Sequence, residues 1–186
     1  MNELTITGTL VSADVGCREF FLQLPGTKLP LVCQLQEGQW QGQFPLGSKI
    51  CVKGRFASRD LCKQNPCDCH TTTNIIESYV KVTDIAMAKK SCNEVAVSGR
   101  LTGEPRLIKT PSASFYSARI HLDDGAGYAA VTTEQMPGAR GNAVTVSGRL
   151  RAKDYSRHME CPCCKGSWKL PILSVGIRGG KIPAKI

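Results

Sequence analysis

Two five-stranded barrels in tandem, all-β throughout, are what this 186-residue sequence predicts. Three observations carry the prediction. Short β-branched runs alternate apolar with polar residues, the period of a half-buried strand. No segment shows sustained helical periodicity, and Gly and Pro punctuate the gaps. The chain also states its pattern twice. Gly54-Arg55-Phe56, Asp60, Cys67 and Cys69 recur 94 residues later as Gly148-Arg149-Leu150, Asp154, Cys161 and Cys163. Gly47 and Gly141 extend the match, and Asn2, Gly8 and Leu10 recur at an offset of 91 as Asn93, Gly99 and Leu101. A repeat of this length is a domain and not a solenoid unit. Residues 1–88 and 91–180 are the expected units, with 181–186 a short basic tail.

In the first unit, Leu4–Thr7, Phe20–Leu24, Ile50–Lys53 and Tyr79–Ile85 read as strands, and Asn74–Ser78 as a candidate turn of helix. A linker at 86–91 follows. In the second unit the strands are Val95–Ser98, Tyr116–Leu122, Val144–Ser147 and Leu170–Ile177. Four or five strands in about 90 residues make a sheet that protects its edges best by closing on itself.

The charge is uneven. The first 90 residues carry 10 Lys+Arg against 8 Asp+Glu, and the remainder 14 against 7, for a net +9. Such an excess suits a polyanionic partner. No apolar run reaches the roughly 18 residues of a membrane span, so no membrane partner is expected. The opening Met-Asn-Glu-Leu-Thr-Ile lacks a basic segment before an apolar stretch. A cytoplasmic protein without lasting disulfides is therefore expected. Enzyme chemistry finds little footing. Gly125-Ala126-Gly127 is a turn between strands and not a phosphate loop. Of the three histidines, two sit beside cysteines, and His121 lies on an alternating strand.

Asn93 to Pro105, followed by Thr110-Pro111-Ser112, resembles the opening of bacterial single-stranded DNA-binding proteins. Gly141 to Tyr155 resembles that family's fourth strand and the start of its long hairpin, and Asn2–Leu10 and Gly47–Phe56 repeat both signals more faintly. The resemblance covers about half of each unit. It implies oligonucleotide-binding (OB) folds and single-stranded DNA as ligand, with RNA a second candidate. A non-enzymatic adaptor in a replication or mobile-element complex is the alternative, since related barrels serve that way. Replication or recombination proteins and a second copy of the chain are the candidate protein partners. Three features depart from the family: the two fused barrels, a basic end at 178–186 where the family has an acidic tip, and the cysteine clusters.

Those clusters fall in the hairpin between the fourth and fifth strands. They are Cys62, Cys67, Cys69 and His70 in the first copy, and His158, Cys161, Cys163 and Cys164 in the second. Three Cys and one His are an ordinary structural zinc set, and four protein ligands leave no place for a reactive water. A metal would also rigidify a hairpin that has little core. The adjacent pairs Cys69-His70 and Cys163-Cys164 are awkward on one ion. Three arrangements therefore stay open: one zinc per copy, one zinc shared through Cys67, His70, Cys161 and Cys164, or reduced or redox-active thiols without metal. Cys17, Cys33, Cys51 and Cys92 are scattered and read as small buried hydrophobes.

Binding a single strand takes cations along the phosphates and aromatic faces for the bases. The second copy supplies both in Arg149, Arg151, Lys153, Tyr155 and Arg157, then Lys165, Trp168 and Lys169 on the returning arm. The resemblance puts Tyr155 at a stacking position at the root of the hairpin, where the first copy has Leu61. Trp40, in a Gly-rich loop, and Lys53 with Arg55 are the first copy's candidates, although a solvated charged face explains the last two equally well. Tyr128 is a further candidate aromatic, and Phe56 matches Leu150 as a core residue.

Overall fold

A computed structural model describes residues 1–14, 16, 18–36 and 44–179. Eleven strands are present among them: β1 (Asn2–Asp14), β2 (Glu19–Gln23), β3 (Leu31–Gln34), β4 (Lys49–Gln64), β5 (Thr72–Met87), β6 (Asn93–Leu101), β7 (Arg106–Lys109), β8 (Ser114–Leu122), β9 (Tyr128–Thr133), β10 (Ala143–Glu160) and β11 (Ser167–Gly179). Every expected strand falls on one of these, and only Phe20–Leu24 overruns its strand, by Leu24 at the end of β2. Three strands were not anticipated: β3, β7 and β9.

The pairings close twice. β1, β2, β3, β5 and β4 form one ring, with β3 parallel to β5 and β4 returning to β1. β6, β8, β9, β11 and β10 form the second, again with one parallel contact, β9 to β11. These are two five-stranded OB barrels, and closure covers their strand edges except at the starts of β1 and β6, Asn2–Ile6 and Asn93–Val97. The short β7 adds to β8 outside the second ring. Alternation fills each barrel. Ile50, Val52 and Phe56 of β4, and Val144, Val146 and Leu150 of β10, are buried at matching places.

The repeated glycines mark close strand crossings. A Cβ on Gly54 would strike the Lys81 carbonyl and come within 2.8 Å of a Val80 methyl. One on Gly148 would strike the Arg178 carbonyl in the same way. The strand coils tightly here, and only a bare Cα leaves room.

The two rings are joined edge to edge. β1 pairs antiparallel with β6, with Asn2 opposite Val97, Leu4 opposite Val95 and Ile6 opposite Asn93. Given the offset of 91, this register is self-complementary, as in a two-fold dimer interface, but it is made within one chain. The repeated asparagines hold its ends. Asn2 Nδ2 donates to the Phe56 carbonyl at 2.8 Å, and its Oδ1 accepts from the Phe56 N–H at 2.9 Å. Asn93 makes the same pair of bonds with Leu150, at 2.9 and 2.7 Å. A carboxamide sets an N–H donor beside an oxygen acceptor in one plane, so it pairs with a residue's backbone as a second strand would. One continuous buried cluster runs through both barrels, from Leu10 and Phe20 to Ile120 and Ile177.

Two expectations are corrected. Asn74–Ser78 is extended within β5, with Asp60 opposite Ile76 and Cys62 opposite Asn74. The β-branched Ile75 and Ile76 favour a strand, and pairing with Leu61 and Asp60 of β4 holds the segment extended. The linker is also shorter, because Ala86 and Met87 still belong to β5. Among the scattered cysteines, Cys33 is buried as expected, and burial pushes its thiol pKa up. Cys51 and Cys92 are only half-buried, and Cys17 lies outside the described residues.

Candidate functional site

β4–β5 and β10–β11 run on past their barrels as two long hairpins, paired to Gln64–Thr72 and Glu160–Ser167. Directly opposed residues of an antiparallel pair share a face. One face of β10–β11 therefore carries Arg149, Arg151, Lys153, Tyr155, Arg157 and Met159, opposite Arg178, Gly176, Ser174, Ile172, Leu170 and Trp168. No acidic residue lies on that face. The four β10 cations are exposed and have no carboxylate partner among the described residues. Tyr155 is 57% exposed. Trp168, half-buried, stands four residues further out, roughly 13 Å along the strand.

The face continues into the barrel. Arg149 is opposite Arg178, a like-charge pair that costs the sheet stability when nothing neutralises it. Arg151 stands between two grooves. One, of about 790 Å³, runs between the barrels beside Lys49 and Arg149. The other, of about 680 Å³, opens beside Phe115 and Arg178. The first barrel has the same like-charge pair, Arg55 opposite Lys81. Sequence reasoning missed Lys81 and Arg178, and only the strand register reveals them.

The remaining candidates are dispersed. Lys53 is spent on Asp84, 3.2 Å away. Leu61, the counterpart of Tyr155, lies opposite the buried Ile75. Lys169 is opposite His158 on the reverse face of its hairpin. Lys165 sits in the tip turn, 3.7 Å from Glu160. Tyr128 makes an edge contact with His121, with ring centroids 5.1 Å apart. Trp40 lies outside the described residues.

Each hairpin leans on the other barrel. Asp154 accepts from the backbone N–H groups of Lys28 and Leu29, at 2.6 and 2.9 Å. Those two bonds, Leu29's foremost, hold its carboxyl below the usual range. On the other side Ser58 receives the N–H of Tyr128 at 2.8 Å and donates its own N–H to the Ala126 carbonyl at 2.9 Å.

The hairpin tips meet. The sulfurs of Cys67, Cys69, Cys161 and Cys164 all lie within 4.8 Å of one another, two cysteines from each hairpin, and the four are able to hold a metal ion. Cys62, His70, His158 and Cys163 are not in the group. His70 and Lys165, each following the last cysteine of its pair, are in the left-handed region (φ 51° and 58°), where the chain reverses. The Thr71 hydroxyl lies 3.4 Å from the Cys161 sulfur and 3.9 Å from that of Cys67. Asn65 fixes that hydroxyl, donating to it at 2.8 Å while accepting from Thr73 at 2.7 Å. Thr71 and the Cys164 and Cys163 backbone N–H groups bring the Cys161 pKa down to about 6. Hydrogen bonding with Cys164, burial and Cys161 push Cys69 up to about 12.

Fold and site together define a double OB-barrel chain with two long hairpins that meet at their tips. The chain shares its fold with the wild-type single-stranded DNA-binding protein of Thermus aquaticus: TM-score 0.64, 16% identity, with 100% of this chain and 93% of that chain covered. A deletion variant of that protein aligns at TM-score 0.63 and 18% identity, covering 100% of this chain and 95% of the other. No family model matches the sequence, and no curated protein matches it.

Proposed function

We propose that the chain binds single-stranded DNA, largely without regard to sequence, on the outer face of β10–β11. One observation carries this: four cations without a carboxylate partner among the described residues alternate with an exposed tyrosine on a single strand face that bears no acid. Alternate side chains stand about 6.7 Å apart, a spacing that lets cations follow a backbone while Tyr155 and Trp168 stack on bases. Arg178 and Lys81 extend the basic track onto each barrel. The fold shared with the Thermus aquaticus protein supports the choice of ligand. The chain acts as a binding protein and not an enzyme, its units are 1–88 and 91–180, and zinc is structural in the hairpins.

Fluorescence anisotropy with labelled oligo-dT tests the binding face. Replacing Tyr155 and Trp168 together with Ala is expected to weaken affinity markedly. Unchanged affinity would favour a protein-docking adaptor.

A further inference from the structure

We propose that Cys67, Cys69, Cys161 and Cys164 form one zinc site that staples the two hairpins together, one ion per chain and none confined to either barrel. The inference rests on zinc being resident in the hairpins, and not on what the β10–β11 face binds. Four thiolates suit a soft tetrahedral ion. With Zn–S bonds of about 2.3 Å, tetrahedral sulfurs stand about 3.8 Å apart. The quartet lies within 4.8 Å, so a small inward shift of side chains closes it.

Neither hairpin completes a four-ligand site alone. Cys62 sits on β4 opposite Asn74, and His158 sits on β10 opposite Lys169, each at the third residue pair below its tip. Both are exposed on strand surfaces, as is Cys163 in the turn. What each hairpin does present is a pair of cysteines ahead of a left-handed reversal, Cys67/Cys69 before His70 and Cys161/Cys164 before Lys165. The two pairs are complementary halves. Cys161 is fully buried, and Cys67 and Cys69 are half-buried. Thr71, positioned by Asn65, reaches sulfurs of both halves. Such outer groups orient ligands around a metal. Four protein ligands close the site to water, so the ion's part is mechanical.

Native mass spectrometry of the reduced, full-length chain reads the metal count. One zinc per chain is expected, lost in Cys161→Ser and Cys67→Ser and retained in Cys62→Ser, Cys163→Ser, His70→Ala and His158→Ala. Two ions per chain, none, a disulfide within the quartet of freshly purified protein, or loss of the ion in His158→Ala would each overturn the staple. Should Cys161→Ser fail to fold, the wild-type count and the Cys62→Ser and His158→Ala variants still decide. Oligo-dT affinity, measured on the same samples, separates this from the proposed ligand. One zinc without DNA binding leaves the staple standing and removes the DNA reading.

Discussion

Asn2 and Asn93 show how a single side chain joins distant strands. Each carboxamide satisfies both backbone groups of a buried residue more than fifty positions away, Phe56 or Leu150. Asn2→Ala leaves the N–H and C=O of Phe56 without those partners in a buried setting, which costs about 1–3 kcal/mol. A lowered urea midpoint without loss of transition slope is the expected result. Asn93→Ala follows the same direction, with a smaller shift because Asn93 is more exposed. The repeat makes both asparagines conspicuous in the sequence, but their task is hidden there, since the partners are set by the barrel's crossing. The glycines behave alike: Gly54 and Gly148 are visible as repeated letters, and the carbonyls they accommodate belong to β5 and β11.

The hairpins carry the consequences at the scale of elements. Tyr155→Ala or Trp168→Ala is expected to weaken oligo-dT binding by about 1–3 kcal/mol each, whereas Lys53→Ala changes it little, because Asp84 already neutralises Lys53. Anisotropy titrations check both. Docking of β10–β11 on the first barrel is expected to be pH-dependent through Asp154. Its folded pKa is lowered by the Leu29 and Lys28 N–H groups, so its contribution is full above the ordinary value of about 3.9 and is lost as the pH falls through the lowered one. The difference in melting temperature between wild type and Asp154→Asn should hold steady above that range and shrink below it. Alternation made the row from Arg149 to Arg157 legible in the sequence. It gave no means of seeing that Lys169 falls on the reverse face, because β11 enters that face through Trp168. Nor did it reveal β3 or β9, four- and six-residue strands without long alternation. In the cysteine clusters the sequence aligned Cys69 with Cys163, but the tip turns differ by one residue and bring Cys164 to the partner hairpin instead.

For the whole molecule, the unequal charge of the halves becomes a difference between faces. On β10 the second barrel offers cations that have no carboxylate partner among the described residues, while in the first Lys53 meets Asp84 and Arg59 is held by Glu19 and Glu77, both at 2.7 Å. With four phosphates met by Arg149, Arg151, Lys153 and Arg157, the log–log salt dependence of oligo-dT binding should have a slope of about −3, from roughly −0.7 per contact on a single strand. A slope near zero in an anisotropy titration across salt would remove the electrostatic part of the proposal. The β-rich, duplicated plan was legible because strand periodicity and the repeat are local signals, read from neighbouring letters. The union of the two copies was not, since it depends on β1 and β6 presenting the same edge.

That shared edge has a bearing on synthesis. The strand from Asn2 to Ile6 leaves the ribosome before residues 93–97, and its outer hydrogen-bonding groups wait for them to emerge. Until then a nascent first barrel displays an open strand whose only charge is Glu3, a template on which a neighbouring chain is able to pair. Two ribosomes on one message would thus present matching edges to each other, and the short link from β5 to β6 favours a chain's own second copy by holding it at high effective concentration.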